Sequence, residues 1–142
     1  AGFEYRFLGE SLGGTPDGEA FYDDEGYVRY DRIASTQAFR DGIGALLSLS
    51  GERAVVVLCG EEDPAECHRR LLVGRVLRER GAELVHIRGD GRFQSEEDVR
   101  RAEEAHGAGA RQPSLFAREE IREWKSTRSV SRESRPGSSS KS

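Results

Sequence analysis

Residues 54–72 read AVVVLCGEEDPAECHRRLL, and this stretch decides the fold class. Ala54 to Leu58 is continuously apolar and rich in β-branched valine, the composition of a strand buried on both faces. The run ends at Cys59 and Gly60. Asp63, Pro64 and Glu66 then carry the marks of a helix start: a side chain that accepts from free amides, a ring that fixes φ in the first turn, and a carboxylate that reaches back. Leu71, Leu72, Val76 and Leu77 continue at helical spacing as far as Gly81, which is placed to cap the helix. Residues 83–88, ELVHIR, form the next strand. The unit is strand, helix, strand.

Working outward, Phe3, Tyr5 and Phe7 alternate with Glu4 and Arg6, the period of a half-buried strand. A long loop rich in Gly and Asp follows. Over residues 36–50, Phe39, Ile43, Leu46 and Leu47 predict a helix that Gly51 stops. Gly42 and Gly44 each cost this helix about 1 kcal/mol relative to Ala, so close packing is the expected reason for them. Ser95 with Asp98 predicts the cap of a last, charged helix running to about His106 and Gly107. The order β–α–β–α–β–α predicts an α/β fold with a three-layer parallel sheet and right-handed crossovers. Three strands are few for such a sheet, so a truncated domain over residues 1–110, lacking an N-terminal portion, is the expectation.

Of the 142 residues, 35% are hydrophobic and 34% charged, which is polar for a globular domain. The excess is concentrated at the C-terminal end. Residues 111–124 read as a linker with a short helix. Residues 125–142, KSTRSVSRESRPGSSSKS, hold one aliphatic side chain, Val130, and predict a disordered tail. Its basic residues, Lys125, Arg128, Arg132, Arg135 and Lys141, face one acid, Glu133, so the tail is about +4 and the body about −8. An acidic body argues against a broad nucleic-acid-binding face. Two cysteines exclude a disulfide-built scaffold. With no signal peptide and no long apolar run, a cytoplasmic address is expected.

Ligands of open α/β sheets bind outside the carboxyl ends of the strands. That rule gathers Gly13 and Gly14, then Cys59 and Glu61, then Cys67, His68 and Arg69, then His86. Cys59, at the end of an apolar strand, reads first as a small buried hydrophobe. Cys67 near a helix start and beside Arg69 is the candidate nucleophile, with His68 or His86 as acid-base partner. Arg69, Gly13 and Gly14 suit an anion such as phosphate, although an ion pair of Arg69 with Glu61 or Glu66 is as good a reading. Thiolates and imidazole also suit zinc, but seven residues between Cys59 and Cys67 match no usual ligand spacing, so no metal is assigned.

Leu12-Gly13-Gly14 after a strand containing Tyr5, then Tyr30 and Phe39, then LCGEEDPAECHRRLL and VHI resemble the second half of the domain of unknown function 488 family. The resemblance covers roughly residues 1–90. It rests on a strand ending in Cys59, a glutamate at Glu61 or Glu62, the triplet Cys67, His68, Arg69, and His86 in the following strand. It implies an intracellular α/β domain, mostly bacterial, with no assigned substrate. It also implies that the family's first half, an opening strand with a Gly-His-Ser-like turn and an Asp-Val-Arg strand end, is absent.

Gln112-Pro113-Ser114-Leu115-Phe116 resembles the short Gln-x-x-Leu-Phe peptides that dock on the bacterial DNA sliding clamp. A glutamine amide would anchor the peptide while Leu115 and Phe116 fill an apolar pocket. Pro113 departs from the commoner leucine, and Leu115 and Phe116 tethering the chain end onto the domain is the plainer reading. Three functions therefore stand open: a phosphate, nucleotide or nucleic-acid-end binding cleft; a Cys67-dependent enzyme; and an accessory protein of DNA metabolism recruited through Gln112, Leu115 and Phe116.

Overall fold

The computed structural model describes residues 2–108 and 123–137. Its elements in order are α1 (Gly9–Leu12), a 3₁₀ turn (Glu19–Phe21), β1 (Tyr27–Arg29), α2 (Tyr30–Ala34), α3 (Gln37–Glu52), a π-helical turn (Arg69–Gly74) and α4 (Arg75–Glu79). Then follow β2 (Val85–Ile87), β3 (Phe93–Ser95), α5 (Glu96–Ala108), β4 (Lys125–Ser129) and a second 3₁₀ turn (Arg132–Ser134). The chain mixes helices and strands as expected, but no parallel sheet forms among the described residues. The described strands make two separate antiparallel ribbons, β1 with β4 and β2 with β3.

The reason lies in strand partners. Residues 3–7 and 54–58 run without helix or ladder pairing, and their side chains stand in solvent, Leu58 at 78% exposure and Phe3 fully. Apolar periodicity records what a strand would bury, but pairing needs a neighbouring backbone, and none of the described residues supplies it. Of the three predicted strands only 83–88 forms, as β2, and its partner β3 is a short hairpin strand closed by Gly91 at φ 82°.

The helices follow the sequence more closely. Thr36 caps α3, its hydroxyl accepting from the Phe39 amide at 3.2 Å. A Cβ at Gly42 would stand 2.7 Å from Ser11 Oγ and 2.8 Å from a Leu12 methyl, so α1 packs directly onto that glycine. Gly44 faces open space, and close packing does not explain it. Phe39 and Ile43 of α3, Leu72 and Val73 of the π turn and Val28 of β1 form the centre of the core. Fully burying side chains of this size stabilises by roughly 1.5–3 kcal/mol each.

At Asp63-Pro64 the predicted helix begins late. The Ala65 amide donates to Asp63 Oδ1 at 3.0 Å, and the chain turns twice before the wider π turn carries it into α4. Gly81, at φ 85°, ends this helix as the sequence predicts. Ser95 and Asp98 cap α5 reciprocally, Ser95 Oγ lying 2.7 Å from Asp98 Oδ2 and accepting from the Asp98 amide at 3.1 Å.

Residues 125–137, which the composition assigns to a disordered tail, carry β4 and the second 3₁₀ turn. β4 pairs with β1, the Val130 amide donates to Gly26 O at 2.8 Å, and Lys125 Nζ lies 3.0 Å from Asp23 Oδ2. Arg135 is buried over the Tyr22 ring and paired with Glu19. Residues 125–137 therefore lie along the acidic body, and backbone pairing with ion pairs replaces the apolar burial that their composition lacks. Just ahead of β4, Trp124 donates from Nε1 to Leu71 O at 2.7 Å. No helix among the described residues is long and apolar enough to cross a membrane.

Candidate functional site

The unpaired apolar segment 54–58 delivers Cys59 to the base of the π turn. The loop after it turns back at Asp63-Pro64 and brings Cys67 and His68 to the same point. Cys59 Sγ lies 3.4 Å from His68 Nδ1, and one donor atom from each of Cys59, Cys67 and His68 falls within 4.8 Å of the other two. Both cysteines are free. The seven-residue gap that discouraged a metal assignment is thus bridged by a folded-back loop.

That loop is clasped from outside. Glu62 accepts from Arg88 Nε at 2.8 Å, from Arg88 Nη2 at 2.9 Å and from the Gly89 amide at 2.9 Å, which ties it to the β2–β3 hairpin. Arg69 Nη2 donates to the Glu62 carbonyl at 2.9 Å. Gly14 sits against the His68 ring, where a Cβ would approach Cγ to 2.5 Å. The imidazole is thereby wedged between the loop after α1 and the π turn.

Beside the cluster is a cavity of about 260 Å³, lined by Gly14 and Thr15, by Val28 and Tyr30, by Cys67 and His68, and by β4 residues including Ser126 and Thr127. Glu61 and Glu66 border it, both paired with Arg128 of β4, the Glu61 contact at 3.2 Å.

Burial governs the protonation of these groups. It pushes the Cys67 thiol up to about 11, with the Cys59 thiol adding to the shift. It also lowers the His68 pKa, and the neighbouring Arg69 charge acts in the same direction. Tyr30 is raised to about 12, chiefly by burial and then by the two cysteines. Without a cation the site holds a neutral imidazole and a protonated Cys67 thiol, and the Cys59–His68 contact is a hydrogen bond through sulfur. A neutral imidazole with two thiols that ionise on metal binding is a ligand set for zinc-like ions.

The sequence-selected residues separate. Gly14, Glu61, Cys67 and His68 line the cavity, and Cys59 joins Cys67 and His68 in the cluster beside it. Gly13 does not: its amide donates to Gly9 O at 2.9 Å and ends α1. Arg69 is taken up by the Glu62 carbonyl instead of pairing with Glu61 or Glu66. His86 lies outside both the cluster and the cavity lining. It is buried, with Nε2 2.8 Å from Glu96 Oε2, and the same carboxylate accepts from Arg70 at 3.0 Å and Arg78 at 2.9 Å. Arg70 also grips Glu103 with contacts of 2.9 and 2.7 Å. This network, His86 included, ties the π turn and β2 to α5. Gln112, Leu115 and Phe116 lie outside the described residues. The sequence reading missed Thr15, Glu66, Ser126, Thr127 and Arg128 as cavity residues, and Tyr30 entered only as part of a resemblance. The charge asymmetry between tail and body was the one available sign that β4 would close the site.

The family described as Domain of unknown function DUF488 matches residues 1–76 of the chain. The match includes Gly14, Tyr30, Cys59, Glu61, Cys67, His68 and Arg69 and stops short of His86. The chain belongs to this family. No curated protein and no solved structure matches the chain.

Proposed function

We propose that Cys59, Cys67 and His68 bind a transition-metal ion of the zinc type, which makes this chain a metal-dependent protein working at the cavity beside β4. One observation carries the reading: two thiols and an imidazole, the soft donors that such ions select, converge within 4.8 Å. With zinc–sulfur and zinc–nitrogen bonds of normal length, tetrahedral coordination separates a sulfur from a nitrogen by about 3.6 Å. The Cys59 Sγ to His68 Nδ1 distance of 3.4 Å is already close to that.

The two sequence readings that place chemistry here have less support. A nucleophilic Cys67 needs a depressed pKa, whereas burial drives this thiol to about 11. A phosphate cleft needs cationic groups in its wall, whereas Arg69 does not line the cavity, which carries Glu61 and Glu66 against Arg128. Recruitment to a sliding clamp through Gln112, Leu115 and Phe116 is a separate proposal resting on sequence alone.

Purified full-length chain, reduced and exposed to zinc, is expected to retain one ion per chain after gel filtration, measured by elemental mass spectrometry. A Cys59→Ser/Cys67→Ser/His68→Ala variant should retain none. Absence of zinc from the wild type, or equal retention by the variant, overturns the reading.

A further inference from the structure

We infer that the metal site keeps one coordination position open to the cavity, and that a small neutral molecule with a nitrogen or oxygen lone pair binds there directly to the metal. The inference rests on the metal reading above and adds the ligand class to it.

Ligand arithmetic comes first. A structural zinc site is closed by four protein ligands, usually cysteine and histidine, whereas a site with three protein ligands leaves its fourth position for water or substrate. The chain has two cysteines and three histidines in all. Both cysteines and His68 are already in the cluster. His86 is buried against Glu96, and His106 Nδ1 lies 2.7 Å from Ala102 O within its own helix. A fourth soft donor from this chain is therefore not to hand. Glu61 and Glu66 border the cavity but fall outside the described group whose donor atoms converge within 4.8 Å, and Arg128 holds both.

Placement and charge then define the ligand. Cys67 and His68 are ligands and cavity wall at once, so a metal they hold borders the cavity. The volume, about 260 Å³, lies just under the usual 300–1,000 Å³ of drug-sized sites and suits a molecule of about one ring. Two thiolates neutralise a divalent ion, and two glutamates against one arginine leave the rim negative. Anions are thereby disfavoured. Hydroxyl-bearing Thr15, Ser126 and Thr127 beside Val28 and Val130 give walls of mixed polarity that fit a neutral polar molecule.

The test uses reduced full-length chain loaded with Co²⁺, whose ligand-field bands report the coordination shell. Imidazole, kept neutral above its pKa, is titrated in parallel with azide. The expected result is a saturable shift of the bands by imidazole at lower concentration than azide, with thiolate-to-cobalt absorption retained. Thr15→Trp and Thr127→Trp, which fill the cavity from the loop after α1 and from β4, should load cobalt normally and weaken imidazole by about tenfold or more, the equivalent of about 1.4 kcal/mol. Cobalt bands that neither molecule moves show a closed shell and overturn the inference while sparing the metal reading. Cobalt loading that doubles the mass in light scattering assigns the fourth position to a second copy, with the same consequence. Azide binding more tightly than imidazole overturns the neutral-ligand assignment, and unchanged affinity in both tryptophan variants overturns the cavity placement. No cobalt bands at all overturns both proposals.

Discussion

Gly14 and His68 are in direct contact across the candidate site: the glycine lies where any β-carbon would meet the imidazole at 2.5 Å. They come from segments more than fifty residues apart, and the contact fixes the ring that faces Cys59. The absence of a side chain at Gly14 is thus a condition for the cluster to form. Gly14→Val should displace the His68 ring and weaken zinc binding at least about tenfold, while the core around Phe39 and Ile43 stays folded. Competition against a chromophoric chelator, with far-ultraviolet circular dichroism as the control for folding, checks this.

Metal-free Cys67 should resist alkylation. With its thiol near 11, raised by burial and by Cys59, the thiolate is scarce at neutral pH and accumulates only as the pH approaches that value. Iodoacetamide labelling followed by peptide mass spectrometry should show slow modification of Cys67 from pH 6 to 9, well below that of a free cysteine peptide. Fast labelling at pH 7 would restore Cys67 as a nucleophile.

Removing Arg70 should destabilise the chain more than removing Arg69. Arg70 is buried and pairs with Glu96 and Glu103, so Arg70→Ala breaks charge-assisted hydrogen bonds to both, with Arg78 and His86 still holding Glu96, and should cost about 2–3 kcal/mol. Arg69→Ala loses one hydrogen bond to a carbonyl at the surface, worth about 1 kcal/mol. Urea unfolding midpoints of the two variants give the comparison.

Acid should release the C-terminal strand before the core unfolds. Burial opposes ionisation of Asp23, but Lys125 and the Tyr27 and Glu25 amides outweigh it and hold the carboxyl below its ordinary value. A depressed folded pKa means that this contribution is complete above the unfolded value of about 3.9 and is lost as pH falls through the folded one. Trp124 is the single tryptophan and is docked on Leu71 next to β4, so its fluorescence reports the release. Asp23→Asn should show the released signal already at neutral pH in part of the population, with a loss of about 1–2 kcal/mol.

Clamp recruitment, if the peptide acts as its sequence suggests, depends on two apolar side chains. Wild type should be retained by immobilised purified sliding clamp, and Leu115→Ala/Phe116→Ala should elute with the void. Equal retention of both, or of neither, removes the peptide from consideration.

The sequence by itself determined the elements whose causes are local. The Phe39–Ile43 spacing of α3, the Gly81 stop, the Ser95–Asp98 cap and the Val85–Ile87 strand all depend on nearby residues, and all are present, although α3 runs through the expected Gly51 stop to Glu52. It also put forward the candidate residues, since the stretch that matches the family holds Cys59, Cys67 and His68. The tertiary structure decided everything that depends on distant partners. It left 54–58 unpaired although its valines have strand composition, because a ladder is a property of two backbones. It drew a polar tail into β4, because acids far away in sequence matched its charges. It separated His86 from His68, and it buried Arg70, which no local pattern marked, against Glu96 and Glu103. Most of all, it made Cys59, Cys67 and His68 one site. Spacing along the chain measures contour length, whereas coordination depends on distance through space, and only the fold of the intervening loop converts one into the other.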